Sequence, residues 1–341
     1  MVAMPARTIA TDRGDEGLRL DLVLRRHLTD VRSATRTRVQ AWIETGLVTV
    51  NGEPVRRVSS RAAPGDVIAV DLPDEAPRAV MAAEDVRLAV LYEDDDLLAI
   101  DKPAGIVVHP TYKNLAGTIM NALLWQARAW PAPQRPSLVS RLDKLTSGII
   151  VVAKTAAAHT ALQRSLGPAS ANAGEGTRYR YLVPSEKDYL AVVYGRVNVA
   201  RGNIDLRLAT DRADRRRVAA STTEGAESLT RFERLAKVAA PSAGLSLLRC
   251  RLVTGRTHQI RVHLSASGWP IVGDPVYGEP RWQQVTDPLL SATLRAFPRQ
   301  ALHAWRVSFT HPVTRAHIAI EAPVPADLSG LMATAGLALP R

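Results

Sequence analysis

Cysteine is almost absent: Cys250 stands alone among 341 residues, so no disulfide can close within the chain and a multi-cysteine zinc site is excluded. No apolar run reaches the roughly 18 residues that a membrane span requires. The stretch Met1 to Arg19 mixes arginine with aspartate and lacks a basic patch followed by an apolar segment. It does not read as a signal peptide, and a cytoplasmic protein is expected. Acid is also in deficit, with 33 Asp and Glu against 44 Lys and Arg and a formal charge of +11. Such an excess favours a polyanionic partner, although charge alone does not distinguish nucleic acid from an acidic membrane or mere solubility. What the chain does have is apolar content: 46% hydrophobic residues can bury a sizeable core, which excludes global disorder. Its length suffices for two domains.

The first unit runs from Arg19 to Asp71. Leu20, Val23, Leu24 and Leu28 recur at helical spacing. A second helix is expected after Ser33, with Val39, Trp42 and Ile43 inward, Arg36 and Arg38 outward, and Gly46 as its left-handed end. Leu47 to Val50 followed by Asn51-Gly52 is a hairpin signal, and Pro64-Gly65-Asp66 turns into a strand from Val67 to Val70. Exposed arginines on such a unit suit RNA phosphates, and an ordinary solvated helix face would carry them equally well. The prolines and mixed charge of 73–83 read as a linker. The expected domains are residues 18–73, a small α/β unit; 74–88, a linker; and 89–325, a larger domain.

In the larger domain the strand candidates are Leu97 to Ile100, Gly148 to Val152, Leu190 to Val193 and Leu245 to Leu252. Helices are expected over Thr118 to Trp130 and Thr155 to Leu166, the latter as a core-facing helix. Strands and helices do not alternate in strict βαβ order, so an α+β fold with a mainly antiparallel, mixed sheet is expected. The Gly, Ala and Ser content of 167–176 suggests a surface loop.

Two segments concentrate polar side chains. Ser140 to Gly148 sets Arg141 two residues from Asp143, with hydroxyls at Thr146 and Ser147. In isolation this could be a solvated turn. In Thr254 to Leu264, strand alternation predicts His258, Ile260, Val262 and Leu264 on one face and Gln259, Arg261 and His263 on the other, towards a polar cleft. Five histidines, at positions 109, 258, 263, 303 and 311, are scattered through the domain, but His258 and His263 are five apart and lack the spacing of a helical zinc pair. No metal and no cofactor are expected, and His258 and His303 are read as structural hydrogen-bonding groups.

Six stretches in order now support a resemblance. They are Lys102 to Pro110, Arg141-Leu-Asp-Lys-Leu-Thr-Ser-Gly148, Tyr189 to Gly195, Thr254 to Leu264, Gly273-Asp-Pro-Val-Tyr-Gly278 and Leu302-His-Ala-Trp305. Together they resemble the RluA family of RNA pseudouridine synthases across Leu91 to Pro312. The first unit resembles the small RNA-binding domain named after a ribosomal small-subunit protein. The resemblance implies an isomerase that converts uridine to pseudouridine in structured RNA, large-subunit ribosomal RNA rather than transfer RNA. A monomer is expected, although the residues do not determine the oligomeric state. The resemblance also implies that Asp143 is the catalytic carboxylate. Such a group can add to an electrophilic carbon, stabilise positive charge on the sugar, or take a proton, and the residues do not decide among these. Arg261 matches the arginine that orients it. Tyr189 matches a tyrosine that lies against the uracil, with a hydroxyl able to remove the ring proton. Arg141 matches a residue that enters the space left by the everted base. The basic stretch Leu206 to Val218, including Arg215, Arg216 and Arg217, matches an RNA-backbone contact surface.

Two departures stand out. Ser140 occupies a position where the family has histidine, which affects how the Asp143 loop is braced. The segment 167–187 is longer than the family's usual link. The reading of a different class is a non-catalytic RNA-binding or ribosome-assembly protein on the same fold. Ser140 alone favours it.

Overall fold

Leu20, Val23 and Leu24 are buried along one face of helix α1 (Leu20–His27) in the computed structural model, as the leucine spacing requires. The structure describes residues 7–12, 15–28, 31, 34–72, 81–110, 115–166, 185–211, 213–214, 217–238 and 244–340. It divides into two units, Met1–Val80 and Met81–Arg341.

In the first unit α2 (Arg36–Thr45) buries Val39, Trp42 and Ile43 against α1 and ends at Gly46 with φ of 82°. Asn51 and Gly52, with φ of 53° and 89°, make the tight turn between β2 (Val48–Val50) and β3 (Glu53–Pro54). A strand outside the expected unit, β1 (Arg7–Ala10), pairs antiparallel with β4 (Val67–Val70), giving the sheet order β1-β4-β2-β3. Only Ile9 of β1 is buried. A four-residue edge strand with one inward side chain carries too little alternation to be read from sequence.

The second unit contains an eleven-stranded sheet among its described residues. Its strands are β5 (Ala89–Glu93), β6 (Leu97–Lys102), β7 (Ser137–Leu138), β8 (Ser147–Ala153), β9 (Glu186–Tyr194), β10 (Arg201–Thr210), β11 (Val218–Ser221), β12 (Ala226–Val238), β13 (Leu245–Leu252), β14 (Leu302–Thr310) and β15 (His317–Glu321). The main path is β11-β10-β12-β13-β9-β14-β8-β6-β5, with β15 on β14 and β7 on β8. Every pairing is antiparallel except β14 with β8. The α+β expectation with a mainly antiparallel mixed sheet therefore holds. No described helix is long and apolar enough to cross a membrane.

Both faces of the central strands are covered, which is why β8 is buried throughout and apolar from Ile149 to Ala153. Ile149 and Val151 pack with Ala158, Leu162 and Leu166 of α4 (Ala156–Leu166). Ile150 and Val152 pack on the other face with Ile119 and Leu123 of α3 (Ile119–Gln126), whose start is fixed by a capping box between Thr118 and Asn121. On β9 and β13 the larger core cluster includes residues of α5 (Gln259–Ala266), α6 (Pro288–Ala296) and α7 (Ala326–Thr334).

The parallel junction of β8 and β14 sets the geometry below it. Gly148 lies opposite Ala304 with φ of 110°, and a Cβ there would come within 2.2 Å of the Ala304 carbonyl oxygen. Gly148→Ala should lower stability by about 2 kcal/mol or more, from left-region strain plus backbone overlap. Urea denaturation checks this, and a change under half that size would contradict it.

Candidate active site

The loop between β7 and β8 carries Asp143, and it is tied down from several sides. Lys102, wholly buried at the end of β6, donates from Nζ to the carbonyls of Pro103 at 2.7 Å and Lys144 at 3.0 Å. Burial pushes its pKa down to about 8. The Gly105 amide donates to the same Lys144 carbonyl at 2.8 Å. Just ahead of β14, Gln300 Nε2 donates to Thr146 Oγ1 at 3.0 Å and Arg299 Nη1 to the Leu145 carbonyl at 3.4 Å. His303 Nδ1 lies 3.0 Å from Ser147 Oγ. These bonds brace the loop through residues other than Ser140, so the exchange at that position leaves them intact.

Facing the loop is Arg261, and here the strand expectation for 258–264 is corrected. The segment is helix α5, with His258 as its left-handed N-terminal residue. The alternating pattern also fits a period near four. Gln259 and His263, four apart, bond Leu229, Thr230 and Ser228 on β12. Ile260 and Leu264, also four apart, enter the core. Arg261 is left pointing at the Asp143 loop.

Arg261 is 4% exposed and holds two carboxylates. Nε and Nη2 donate to Asp274 at 2.7 and 2.9 Å, and Nη1 donates to Asp143 Oδ2 at 2.8 Å. Asp274 is fully enclosed and also accepts from the amides of Val276 and Tyr277. Burial pushes its carboxyl up, but the hydrogen bonds and charge of Arg261 outweigh this and hold it below the usual carboxylate range. Burial likewise opposes the charge on Arg261, and the two carboxylates more than compensate, raising its pKa. Asp143 differs, with 28% of its side chain exposed. It lines an open cleft of about 740 Å³ together with Tyr189, His258, Arg141 and Ser140. Burial, then the charge of Asp143, raises the pKa of the Tyr189 phenol and keeps it protonated.

The structure thus brings Asp143, Arg261 and Tyr189 to one cleft, with Arg141 exposed at its wall. Arg217 is exposed and stacks 5.6 Å from the Tyr277 ring. Arg215 and Arg216 lie outside the described residues, as does 167–184 of the long segment. Arg36 and Arg38 are exposed on α2 of the first unit, as expected. Sequence reasoning gave no part to Asp274, Tyr277 or Lys102, and read His258 as a structural hydrogen-bonding group, which its 2.9 Å contact with the Tyr277 hydroxyl fits. The signal for Asp274 was its pair of flanking glycines. A Cβ on Gly273 would meet the Arg299 carbonyl oxygen at 2.2 Å, and one on Gly278 the Asp274 carbonyl oxygen at 2.3 Å.

Among the described residues, two groups gather three metal-ligand atoms: Asp12, Asp15 and His27, and Asp94, Asp96 and His311. In the first, the donors are already engaged with one another and with Arg26. Asp15 bonds Arg26 and His27, and His311 Nδ1 accepts from the amides of Val313 and Thr314 while its Nε2 lies 3.1 Å from Asp94.

Comparison with known proteins matches residues 96–266 to the family described as RNA pseudouridylate synthase, and residues 18–68 to the S4 domain. The chain is 40% identical over 319 residues to "Ribosomal large subunit pseudouridine synthase D" of Xanthomonas campestris pv. campestris, covering 93% of this chain and 88% of that one. It is 36% identical over 301 residues to "Uncharacterized RNA pseudouridine synthase YlyB" of Bacillus subtilis, covering 87% and 88%. Among solved structures, "Human RNA Pseudouridylate Synthase Domain Containing 4" aligns with a TM-score of 0.55 at 20% identity, over 74% of this chain and 95% of that one, a likeness of fold.

Asp274→Ala should destabilise the protein by about 3–5 kcal/mol, because it strands a buried guanidinium beside a single half-exposed partner. Urea denaturation measures the loss. A variant as stable as the wild type would mean that Arg261 is held by something else.

Proposed function

The chain belongs to the RNA pseudouridylate synthase family, whose members are isomerases, and on that premise we propose that it converts uridine to pseudouridine in large-subunit ribosomal RNA, with Asp143 acting on a uridine turned out of its stack. The observation that carries this reading is the uneven use of the Asp143 carboxylate. Oδ2 accepts from Arg261 at 2.8 Å, while the side chain remains part of a cleft shared with Tyr189.

The reaction breaks the bond from uracil N1 to ribose C1′, turns the base and joins C1′ to C5. C5 then loses its proton and N1 gains one. No atom enters or leaves overall. A carboxylate serves each available route: addition to an electrophilic carbon, support of positive charge on the sugar, or proton removal. Each route needs one oxygen accessible to substrate and a fixed orientation for the other. Arg261 supplies the orientation from a dry site, and Asp274 keeps Arg261 in place. Tyr189, protonated as it is, serves as a face for the uracil ring and a hydrogen-bond donor rather than as a phenolate base.

Extruding a stacked base costs a few kcal/mol. Arg141, exposed at the cleft wall, offsets part of this by filling the vacated space. Arg217 and the exposed arginines of the S4 domain contact phosphate, which positions the RNA without reading its sequence. Ribosomal RNA of the large subunit is favoured because it stands in the names of relatives such as that of Xanthomonas campestris.

Large-subunit ribosomal RNA incubated with wild type and with Asp143→Asn, then mapped by carbodiimide adducts, tests the proposal. Asp143→Asn should lose at least about 10³-fold in rate while binding RNA within about tenfold of wild type. Identical maps would end the assignment. Affinity should also fall steeply between 50 and 200 mM salt, as counterion release at several phosphates requires. A flat dependence would contradict the basic surface as the RNA contact.

A further inference from the structure

His258 is the cleft side chain to which the reading above gives no part. Its φ of 56° lies in the left-handed region, where a residue other than glycine persists only when its surroundings hold it. The helix that follows fixes its backbone, and one contact fixes its ring. Nδ1 lies 2.9 Å from the hydroxyl of Tyr277, and that hydroxyl accepts from the Val218 amide at 2.8 Å.

This contact decides where the imidazole proton sits. Tyr277 is 7% exposed and burial raises its pKa, so its hydroxyl keeps its hydrogen. If that hydrogen goes to Nδ1, every group in the chain of bonds is satisfied. If Nδ1 were the donor, the buried phenol hydrogen would need a further acceptor, and the described contacts of that hydroxyl supply none. The ring therefore carries its hydrogen on Nε2. Burial holds the imidazole below its ordinary pKa, aided by the charges of Arg261 and Arg141 and opposed by those of Asp143 and Asp274.

Nε2 faces Asp143 Oδ1 at 3.9 Å. That is too long for a hydrogen bond, yet one oxygen placed roughly 2.8 Å from each atom would bridge them. The gap thus has a donor on one side and an acceptor on the other, and both residues line the cleft. On a substrate, the group that can accept from one and donate to the other is a hydroxyl, which takes the place a water would otherwise fill. Within an RNA chain the 3′ and 5′ oxygens of a nucleotide are esterified, so the hydroxyl that a uridine brings is the 2′.

We propose that His258 is a specificity-determining residue, which together with Asp143 grips the ribose 2′-hydroxyl of the target uridine. This deepens the function proposed above and rests on it. The paired contact gives the enzyme a means of rejecting a deoxyribose target in the same cleft. It also holds the sugar against the carboxylate while the base is free to turn. Tyr277 is then a positioning residue, which acts by setting the tautomer of His258.

The test uses a synthetic RNA oligonucleotide containing a uridine mapped by the carbodiimide assay, and the same oligonucleotide with 2′-deoxyuridine at that position. Single-turnover rates are measured for wild type, His258→Asn and Tyr277→Phe. Asparagine tolerates the left-handed backbone but is too short to place a donor where Nε2 stands. Phenylalanine keeps the ring packing and removes only the hydroxyl. Wild type should slow about tenfold or more when the 2′-hydroxyl is removed. His258→Asn should slow on the uridine substrate too, and its further loss on the deoxyuridine one should be at least about threefold smaller than that of wild type, because the two changes share the His258 contact. Tyr277→Phe should move in the same direction by a smaller amount, which keeps the test decisive if the asparagine variant does not fold. Equal fold-losses in wild type and variants on removing the 2′-hydroxyl, or a wild type indifferent to it, would overturn the proposal while leaving the function standing. A wild type that converts neither oligonucleotide would overturn both.

Discussion

One buried guanidinium shared by two carboxylates sets the constraint on which the cleft depends. Arg261 cannot lie in the interior unpaired, since the penalty for an isolated buried charge is several kcal/mol. Asp274 meets that requirement with two hydrogen bonds and is itself fully enclosed. One Nη1 hydrogen bond then remains for Asp143. The two carboxylates share this cation, with Asp274 taking Nε and Nη2 and Asp143 taking Nη1, so Arg261 orients Asp143 through a single hydrogen bond.

The backbone is shaped to keep this arrangement fixed. Gly273 and Gly278 stand where side chains would collide with carbonyl oxygens, and the turn they permit aims Asp274 at Arg261. On the other side, Lys102 is buried despite the cost to its charge, and its ammonium holds the Lys144 carbonyl next to Asp143. Gly148 lets the loop enter β8 directly beside β14, the one parallel pairing of the sheet among the described residues. Loop, helix α5 and the 273–278 turn are therefore positioned by separate elements and converge on a site of limited freedom. This is the preorganisation that a reaction without a change in composition needs from its enzyme.

Much of this was legible in the residues, and the reasons for the rest are physical. The leucine stripe of α1, the inward face of α2 and the strand Leu245–Leu252 are periodic signals, and all fell where read. The α5 segment was misread because four alternating positions over seven residues satisfy both a strand and a helix, and its polar residues reach β12 and the Asp143 loop rather than a sheet face. Strand β1 offered one buried side chain and no pattern. Asp274 and Tyr277 escaped because their parts come from contacts that no local pattern signals: Asp274 meets Arg261 from a turn 13 positions on, and Tyr277 meets Val218 across 59. Order and spacing of motifs carried the family. They could not say which side chain completes which bond.

The most direct measurement is the single-turnover rate of Arg261→Lys on bound ribosomal RNA. Lysine keeps the positive charge but lacks the fork that engages two carboxylates at once. If orientation of Asp143 by that fork is the basis of the site, the rate should fall about 100-fold or more, the cost of a small misplacement at a reacting centre. RNA affinity should be unchanged. A lysine variant reacting within twofold of wild type would show that charge alone suffices, and would contradict the account.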